Sequence, residues 1–344
     1  MRAVVMRRFG GPEVLRVEDV PMPEPGPGEA LVKVSAVTVN RSFDLKVRED
    51  GNGRDPIMPL VLGNDPAGEV VAVGEGTREV RVGDRVAAWR AFPCGTCESC
   101  QHGQPDSCHN KRMLGIHRWG GYAEYVAVPE ESLQVLPPDL PYADAAVVLR
   151  HFPTAIALAI GRACLKSGET ALVMGAAGGL GSALIQVAKQ VGARVIAAAG
   201  SDERVAAGVD LGADAGVNYR QQDLADEVRH LTGGRGVEVV FENIADPSLW
   251  PGAFDSLAYG GRLATIGAHG GGTVPLNVRK LYSQHLSVLG GAWAGRAEAE
   301  QAVEGARSGA FKAVIGASLP LGEAPQAHRL AEDSAVVGKV VLVP

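Results

Sequence analysis

"ETALVMGAAGGLGSALIQVAKQVGARVIAAAG", residues 169–200, decides the fold. An apolar run of strand length, ETALVMGA, meets a cluster of glycines. GGLGSALIQVAKQVG then sets Leu184, Val187, Ala188 and Val191 at helical spacing, and ARVIAAAG is strand-like again. Strand, tight turn, helix, strand is a βαβ unit with parallel strands. Within GAAGGLG, residues 175–181, Gly178 lets a backbone approach a pyrophosphate and Gly181 lets helix and strand pack closely. The helix N-terminus adds unpaired N–H groups and the positive end of a dipole. Ala176 replaces the first glycine of G-x-G-x-x-G. The flanking strand and helix distinguish a dinucleotide-binding loop from an ordinary turn, and Ala177, Gly178, Gly179 and Leu180 are its expected contacts.

Where the second strand ends, an acidic side chain would bind the ribose 2′-hydroxyl of NAD. This strand ends at Gly200, and Ser201 and Arg204 follow, a hydroxyl and a guanidinium suited to the 2′-phosphate of NADP. NADPH is therefore the expected cofactor. Asp202 and Glu203 would serve NAD if the turn ran one residue longer, and Ser201 or Asp202 also suits a helix N-cap.

Working outward, VVFENI, GRLATIG and LSVLGG continue the parallel sheet, giving a doubly wound α/β domain over 151–291. From residue 1 to about 140 the text is AVVM, EALVKVSAV, GEVVAVG, DRVAAW and YAEYVAV, short β runs of a small β-rich domain. PMPEPGPGEA, residues 21–30, has four prolines and is a loop. A chain of 344 residues suggests two domains, and the tail ending in KVVLV is expected to rejoin the first, which then comprises 1–150 and 292–344.

The net charge of −6 argues against a nucleic-acid binder, and no apolar run approaches the roughly 20 residues of a membrane span. The N-terminus lacks a signal-like apolar stretch, so a cytoplasmic protein is expected. "CGTCESCQHGQPDSC", residues 94–108, gathers four of the five cysteines. Cys94, Cys97, Cys100 and Cys108 suit a closed tetrahedral zinc site in a lobe of about 92–110, and four thiolates leave no open position for catalysis. The x7 spacing before the last cysteine does not fit a bacterial ferredoxin cluster, and disulfides do not suit a reducing cytosol. Reduced, metal-free thiols are the other reading. Cys164, in an apolar helical stretch, is expected to be a small buried hydrophobe.

LGNDPAGEVVAVGEG, VGDRVAAW, the cysteine lobe, GGYAEY, AAGGLGSALIQVAK and GGRLATIG together resemble the medium-chain dehydrogenase/reductase superfamily over essentially the whole chain. The resemblance implies a GroES-like catalytic domain made from both chain ends, a Rossmann domain between them, and one structural zinc in the lobe. It further implies Thr154 near the nicotinamide, Tyr219 near the 2′-phosphate, and Asn243, Gly267, Leu289 and Gly290 along the ribose and carboxamide. Asn40, Arg41 and Ser42 would line the substrate side, with Arg41 stabilising an enolate or pairing with an acidic substrate. Trp119 and Phe152 would wall the pocket. The plainer readings are that Asn40 ties a loop, Tyr219 covers a strand end and His151 serves a helix start.

The zinc alcohol dehydrogenases of this superfamily carry a cysteine in the segment reading VTVNRSFD here, a His–Glu pair in GNDPAG, and a third ligand near Arg150. This chain has Asn40 or Arg41, then Asn64 and Asp65, then Arg150, leaving only Asp65, His117 and His151 as other candidates. Without a Lewis acid an alcohol is not readily turned into an alkoxide. The expected activity is NADPH-dependent hydride addition to quinones or α,β-unsaturated carbonyls. A zinc alcohol dehydrogenase with atypical ligands and a non-catalytic NADPH-binding protein are the alternatives. The expected partners are a small quinone or enone and further copies of the chain, as a homodimer or homotetramer joined near LSVLGG.

Overall fold

The computed structural model describes every residue except Arg90, Pro105, Asp106, Ala292, Trp293 and Ser334. It divides into two compact units, Met1–Arg150 with Ile315–Pro344, and His151–Val314. In the second unit, among the described residues, six strands form a sheet in the order Ala215–Asn218, Arg194–Ala199, Thr170–Met174, Val237–Glu242, Leu257–Thr265, Ser287–Gly290. Every adjacent pair is parallel. The winding direction reverses beside Thr170–Met174, and the carboxyl end of such a switch point is where open α/β sheets bind ligands. Leu172, Met174, Ile196, Val217, Val240 and Leu263 are fully buried in its core, as parallel strands covered by helices require.

The glycine turn is set by contact. A Cβ at Gly181 would lie 2.2 Å from the carbonyl oxygen of Gly175, so the helix Gly179–Val191 closes onto the turn only with glycine there. Gly175 itself has φ +64°, in the left-handed region.

Three expectations need correction. The expected return to the first unit at 292 falls on a residue outside those described, and the described chain as far as Val314 stays with the second unit. Phe311 stacks on Phe152 with ring centroids 4.6 Å apart, and the Gln186 amide accepts from the Lys312 N–H (2.8 Å) and donates to its carbonyl (3.1 Å). That holds the connection after the helix Arg296–Arg307 to the Rossmann-like unit. Second, one helix, Tyr142–Arg162, is long and apolar enough to cross a membrane, but 67% of its apolar window is buried in the fold, as in a core helix. Third, Cys164 is exposed, not buried: it follows the end of that helix with φ +48°, which turns it out while Ala163 and Leu165 are buried.

The first unit is built around the long strand Glu29–Val39, which pairs antiparallel with Ala67–Val73, Tyr125–Pro129 and the C-terminal strand Lys339–Val343. The last pairing opposes Val340 to Val39 and Val341 to Thr38, which fixes Lys339 beside Asn40. Further strands Arg85–Ala88, Leu133–Val135 and Ile315–Pro320 extend the sheet. A smaller sheet joins Arg16–Asp19, Arg2–Met6 and Leu60–Val61.

A buried network ties the chain ends together. Arg48, 1% exposed, donates to the carbonyl of Gly10 (3.0 Å), faces His328 Nδ1 at 3.2 Å and pairs with Glu332. His328 Nε2 in turn lies 3.1 Å from the Tyr122 hydroxyl. Since a guanidinium only donates, His328 accepts at Nδ1 and carries its proton at Nε2. Burial, and then the Arg48 charge, pull its pKa down from 6.5 to about 3. Between those values the unfolded chain binds a proton that the folded chain does not, so this group makes stability fall by about 1.4 kcal/mol per unit as pH drops. Asp44 acts oppositely: burial, and then the charge of Asp65, push it up from 3.8 to about 7, so the folded chain binds the extra proton in that window. We therefore expect His328→Gln to flatten the acid limb of the stability curve by about one proton relative to wild type. Urea titrations from pH 4 to 6 measure this as a smaller change in unfolding free energy.

Candidate active site

Three local arrangements carry chemistry. The first is a polar cluster in the first unit where Thr38, Asn40, Asn64, Asp65, Arg150 and Lys339 converge. Asp65, 1% exposed, accepts from the Thr38 N–H at 3.1 Å, from the Thr38 hydroxyl, and from the Asn40 amide at 3.0 Å. Arg150 Nε stands 3.8 Å from the same carboxylate. Asn40 also donates to Asn64 at 3.3 Å and accepts from Lys339 Nζ at 2.9 Å, and Lys339 donates to the Val39 carbonyl at 2.6 Å. Asp44 closes the base by accepting from the N–H groups of Asn40 (2.8 Å) and Gly63 (3.1 Å).

The positions that carry zinc ligands in the resembling alcohol dehydrogenases do come together, but as an amide, a saturated carboxylate and a guanidinium. Arginine is not a ligand, and both Asp65 oxygens already accept hydrogen bonds, so this donor set does not fit a catalytic zinc. The other candidate donors do not help. His117 Nδ1 accepts from the Met113 N–H at 3.1 Å, and burial, followed by the charges of Arg54 and Arg112, lowers its pKa. Among the described residues, the four cysteines are the one group of three or more His, Cys, Asp or Glu whose ligand atoms could share an ion.

Those cysteines form the second arrangement. Cys97 Sγ lies 3.5 Å from Cys100 Sγ and 3.7 Å from Cys108 Sγ, and Cys108 Sγ lies 3.6 Å from Cys94 Sγ. Zinc bonded to four sulfurs at about 2.3 Å in a tetrahedron separates them by about 3.8 Å, so the lobe fits a closed zinc site. The N–H of Cys97 points at Cys94 Sγ (3.3 Å) and that of Cys94 at Cys108 Sγ (3.4 Å), as suits thiolate acceptors. Paired hydrogen bonds between Phe92 and Arg112, 2.9 and 2.8 Å, close the base of the lobe. Pro105 and Asp106 of the expected 92–110 lobe lie outside the described residues.

The third is the carboxyl edge of the parallel sheet. Gly178 is exposed at the N-cap of the helix Gly179–Val191, with Gly179 and Leu180 half-buried beside it and Ala177 buried behind. His151 roofs this turn, since a Cβ at Gly179 would lie 2.3 Å from its Nε2. At the next strand end Ser201 is the N-cap of Asp202–Asp210, and no side-chain capping bond engages its hydroxyl. Asp202 is turned aside, accepting from Asn218 at 2.7 Å and Gln221 at 3.4 Å. Tyr219 and Arg220 cover Gly200, each with an atom 3.2 Å from where its Cβ would be, and Arg204 and Arg220 both act on the Tyr219 hydroxyl electrostatically.

The remaining expected residues are placed as follows. Thr154 is half-buried on the helix Tyr142–Ile156. Asn243 donates to the Met174 carbonyl at 3.1 Å, tying two strand ends, and a Cβ at Gly267 would lie 2.3 Å from the Asn243 carbonyl oxygen. Leu289 and Gly290 end the edge strand, where Arg162 donates to the Gly290 carbonyl at 2.9 Å. Arg41 and Ser42 are exposed at the start of the turn Arg41–Leu45. Asn40 is 2% exposed, and its amide hydrogens and carbonyl are engaged by the side chains of Asn64, Asp65 and Lys339 rather than by backbone groups. Sequence reasoning missed Lys339, Asp44 and Arg220. Arg220 was signalled only by its place after Tyr219.

The zinc reading predicts that Cys100→Ser lowers bound metal from about one equivalent per chain to a small fraction of that. Metal analysis after gel filtration, with limited proteolysis in the 92–110 segment, checks it. Unchanged metal content would count against the lobe as the site.

Comparison with known proteins matches residues 26–138 to the family described as "Alcohol dehydrogenase GroES-like domain" and residues 179–307 to "Zinc-binding dehydrogenase". The quinone oxidoreductase of Homo sapiens is 30% identical over 100% of this chain and 98% of its own length. The crystal structure of an NAD-dependent alcohol dehydrogenase superposes with TM-score 0.93 at 41% identity, covering 100% of both chains. A mycobacterial protein complexed with NADPH superposes with TM-score 0.84 at 31% identity, again over 100% of both. A β-rich first unit, a doubly wound parallel sheet, a four-cysteine lobe and these matches along the full length make the chain a member of the medium-chain dehydrogenase/reductase superfamily of oxidoreductases.

Proposed function

We propose that this oxidoreductase uses NADPH to reduce quinones or α,β-unsaturated carbonyls without a catalytic metal. The observation that carries the reading is the cluster of Asn40, Asp65 and Arg150, in which a carboxylate saturated by its own protein and a guanidinium stand where an alcohol dehydrogenase would need ligands. Zinc-assisted alcohol oxidation depends on lowering the alcohol's pKa, and this donor set offers no metal to do so. Reduction of a conjugated carbonyl instead builds negative charge on an oxygen that fixed hydrogen-bond donors stabilise. The reduced nicotinamide supplies the hydride when bound; the protein binds it, orients the acceptor and excludes water.

The glycine turn at 175–181 fits the pyrophosphate: Gly178 is exposed, and the helix start directs its N–H groups outward. Ser201, Arg204, Tyr219 and Arg220 gather at the end of Arg194–Ala199, while Asp202 is held away by Asn218. Cationic and hydroxyl donors in place of a carboxylate support NADPH over NADH. The name of the human relative supports a quinone acceptor. A reducing cytoplasm suits four zinc-binding thiolates and the exposed Cys164.

A second copy of the chain is the proposed protein partner. Among the described residues, the strand Ser287–Gly290 pairs on one side only, with Leu257–Thr265, and Val288, Tyr282 and Val278 are exposed nearby at 38%, 67% and 60%. Pairing this edge with its symmetric equivalent would remove an open sheet edge.

Steady-state assays of purified protein against quinones, enones and alcohols test the activity. NADPH oxidation with the first two classes is expected, and NADP-dependent alcohol oxidation alone would overturn the reading. Arg204→Ala/Arg220→Ala is expected to raise the KM for NADPH by about 10- to 100-fold, the loss of charge-assisted bonds of about 1.5–3 kcal/mol, while leaving NADH little changed. Light scattering should give about twice the 35.7 kDa chain mass for wild type and a monomer for Val288→Asp.

A further inference from the structure

Among the described residues, Arg150 is the one cation of the polar cluster left without a committed acceptor. Lys339 donates to the Val39 carbonyl and to Asn40 Oδ1, at 2.6 and 2.9 Å. Arg150 Nε is shut off from solvent with no hydrogen-bond partner, and its nearest carboxylate, Asp65, stands beyond hydrogen-bond distance at 3.8 Å. Asp65 already accepts from the Thr38 N–H, the Thr38 hydroxyl and the Asn40 amide. Phe43, 4% exposed, backs the guanidinium, whose central carbon lies 5.9 Å from the ring centroid, and a quarter of the Arg150 side chain (25%) remains open to solvent. The result is a positive charge positioned by a carboxylate and an aromatic ring, with donors to spare. The exposed quarter of the side chain, rather than the buried Nε, is what a ligand oxygen would meet.

We propose that Arg150, rather than Arg41, receives the carbonyl oxygen of the acceptor and stabilises the oxyanion formed during reduction. This assignment rests on the reductase reading above. Hydride from NADPH forms a C–H bond at the β-carbon; the C=C π pair shifts to the α-carbon side and the carbonyl π pair moves onto oxygen, giving an enolate. The α-carbon then takes a proton from water, so that enone, NADPH and one proton become saturated ketone and NADP⁺. Arg150 transfers no proton in this sequence, because a guanidinium stays charged at any working pH. Its contribution is electrostatic, directed at the oxygen where charge develops.

The test uses the full-length protein and 4-nitrophenol, whose phenolate resembles an enolate oxygen and reports its ionisation by colour without cofactor or turnover. Wild type is expected to lower the apparent pKa of the bound dye by about one unit or more, as an opposite charge within about 4–6 Å does. Arg150→Gln should abolish the shift and Arg150→Lys should restore part of it. The double variant Asp65→Asn/Arg150→Gln, which removes the partner charge as well, should fold and still lack the shift. In turnover, Arg150→Gln should lower kcat for an enone at least about tenfold. An equal dye pKa in wild type and Arg150→Gln, or in wild type and the double variant, would overturn the assignment. Failure of wild type to oxidise NADPH with any quinone or enone would instead overturn the reductase reading, a result the dye titration distinguishes.

Discussion

A carboxylate buried at Asp65 constrains everything around it. A charge out of water must be met by hydrogen bonds or an opposite charge, and here Thr38, Asn40 and Arg150 converge on it from the end of a strand, the turn that follows and a helix. Lys339 joins through Asn40 from the C-terminal strand, so the register that pairs Val340 with Val39 is also the register that completes the cluster. Asp44 adds a second buried acid beneath it, whose ionisation is opposed by burial and then by the charge of Asp65. Removing one member would leave another uncompensated, which makes the cluster costly to disturb in parts.

The same arrangement separates two uses of metal within one chain. Four sulfurs set within 4.8 Å of one another can shape a lobe around zinc, since such a site is closed and asks only for shape. A catalytic ion asks for ligands with free lone pairs and an open position, and the polar cluster offers carboxylate oxygens that the protein already uses. On the proposed reading, hydride transfer without a catalytic metal depends on fixed donors and on how the nucleotide is held. The nucleotide end is correspondingly well defined: Gly181 because a side chain would strike Gly175, and Gly200 because Tyr219 and Arg220 close over it.

Much of this was legible in the sequence because it rests on local chemistry. The glycine turn, its strand and its helix are contiguous, and four cysteines at short spacing can hardly be anything but neighbours. The domain return was misplaced because the stacking of Phe311 on Phe152 and the bracket of Gln186 on Lys312 join residues 126 or more apart, which no local pattern marks. Cys164 reads as buried in the sequence because the apolar run continues past the point where the helix ends and the backbone turns left-handed. Lys339 leads the run KVVLV, and its burial follows only from the pairing with Glu29–Val39. The residues standing at the zinc-ligand positions could be read from GNDPAG, VTVNRSFD and Arg150, but the network that joins them could not, since it is assembled from four separate segments.

The most direct test of a chemistry that proceeds without a catalytic metal is anomalous X-ray scattering at the zinc edge from crystals of the zinc-saturated protein. A single peak per chain is predicted, centred between Cys94, Cys97, Cys100 and Cys108. A second peak beside Asp65 would contradict the account and return the activity to metal-assisted alcohol oxidation.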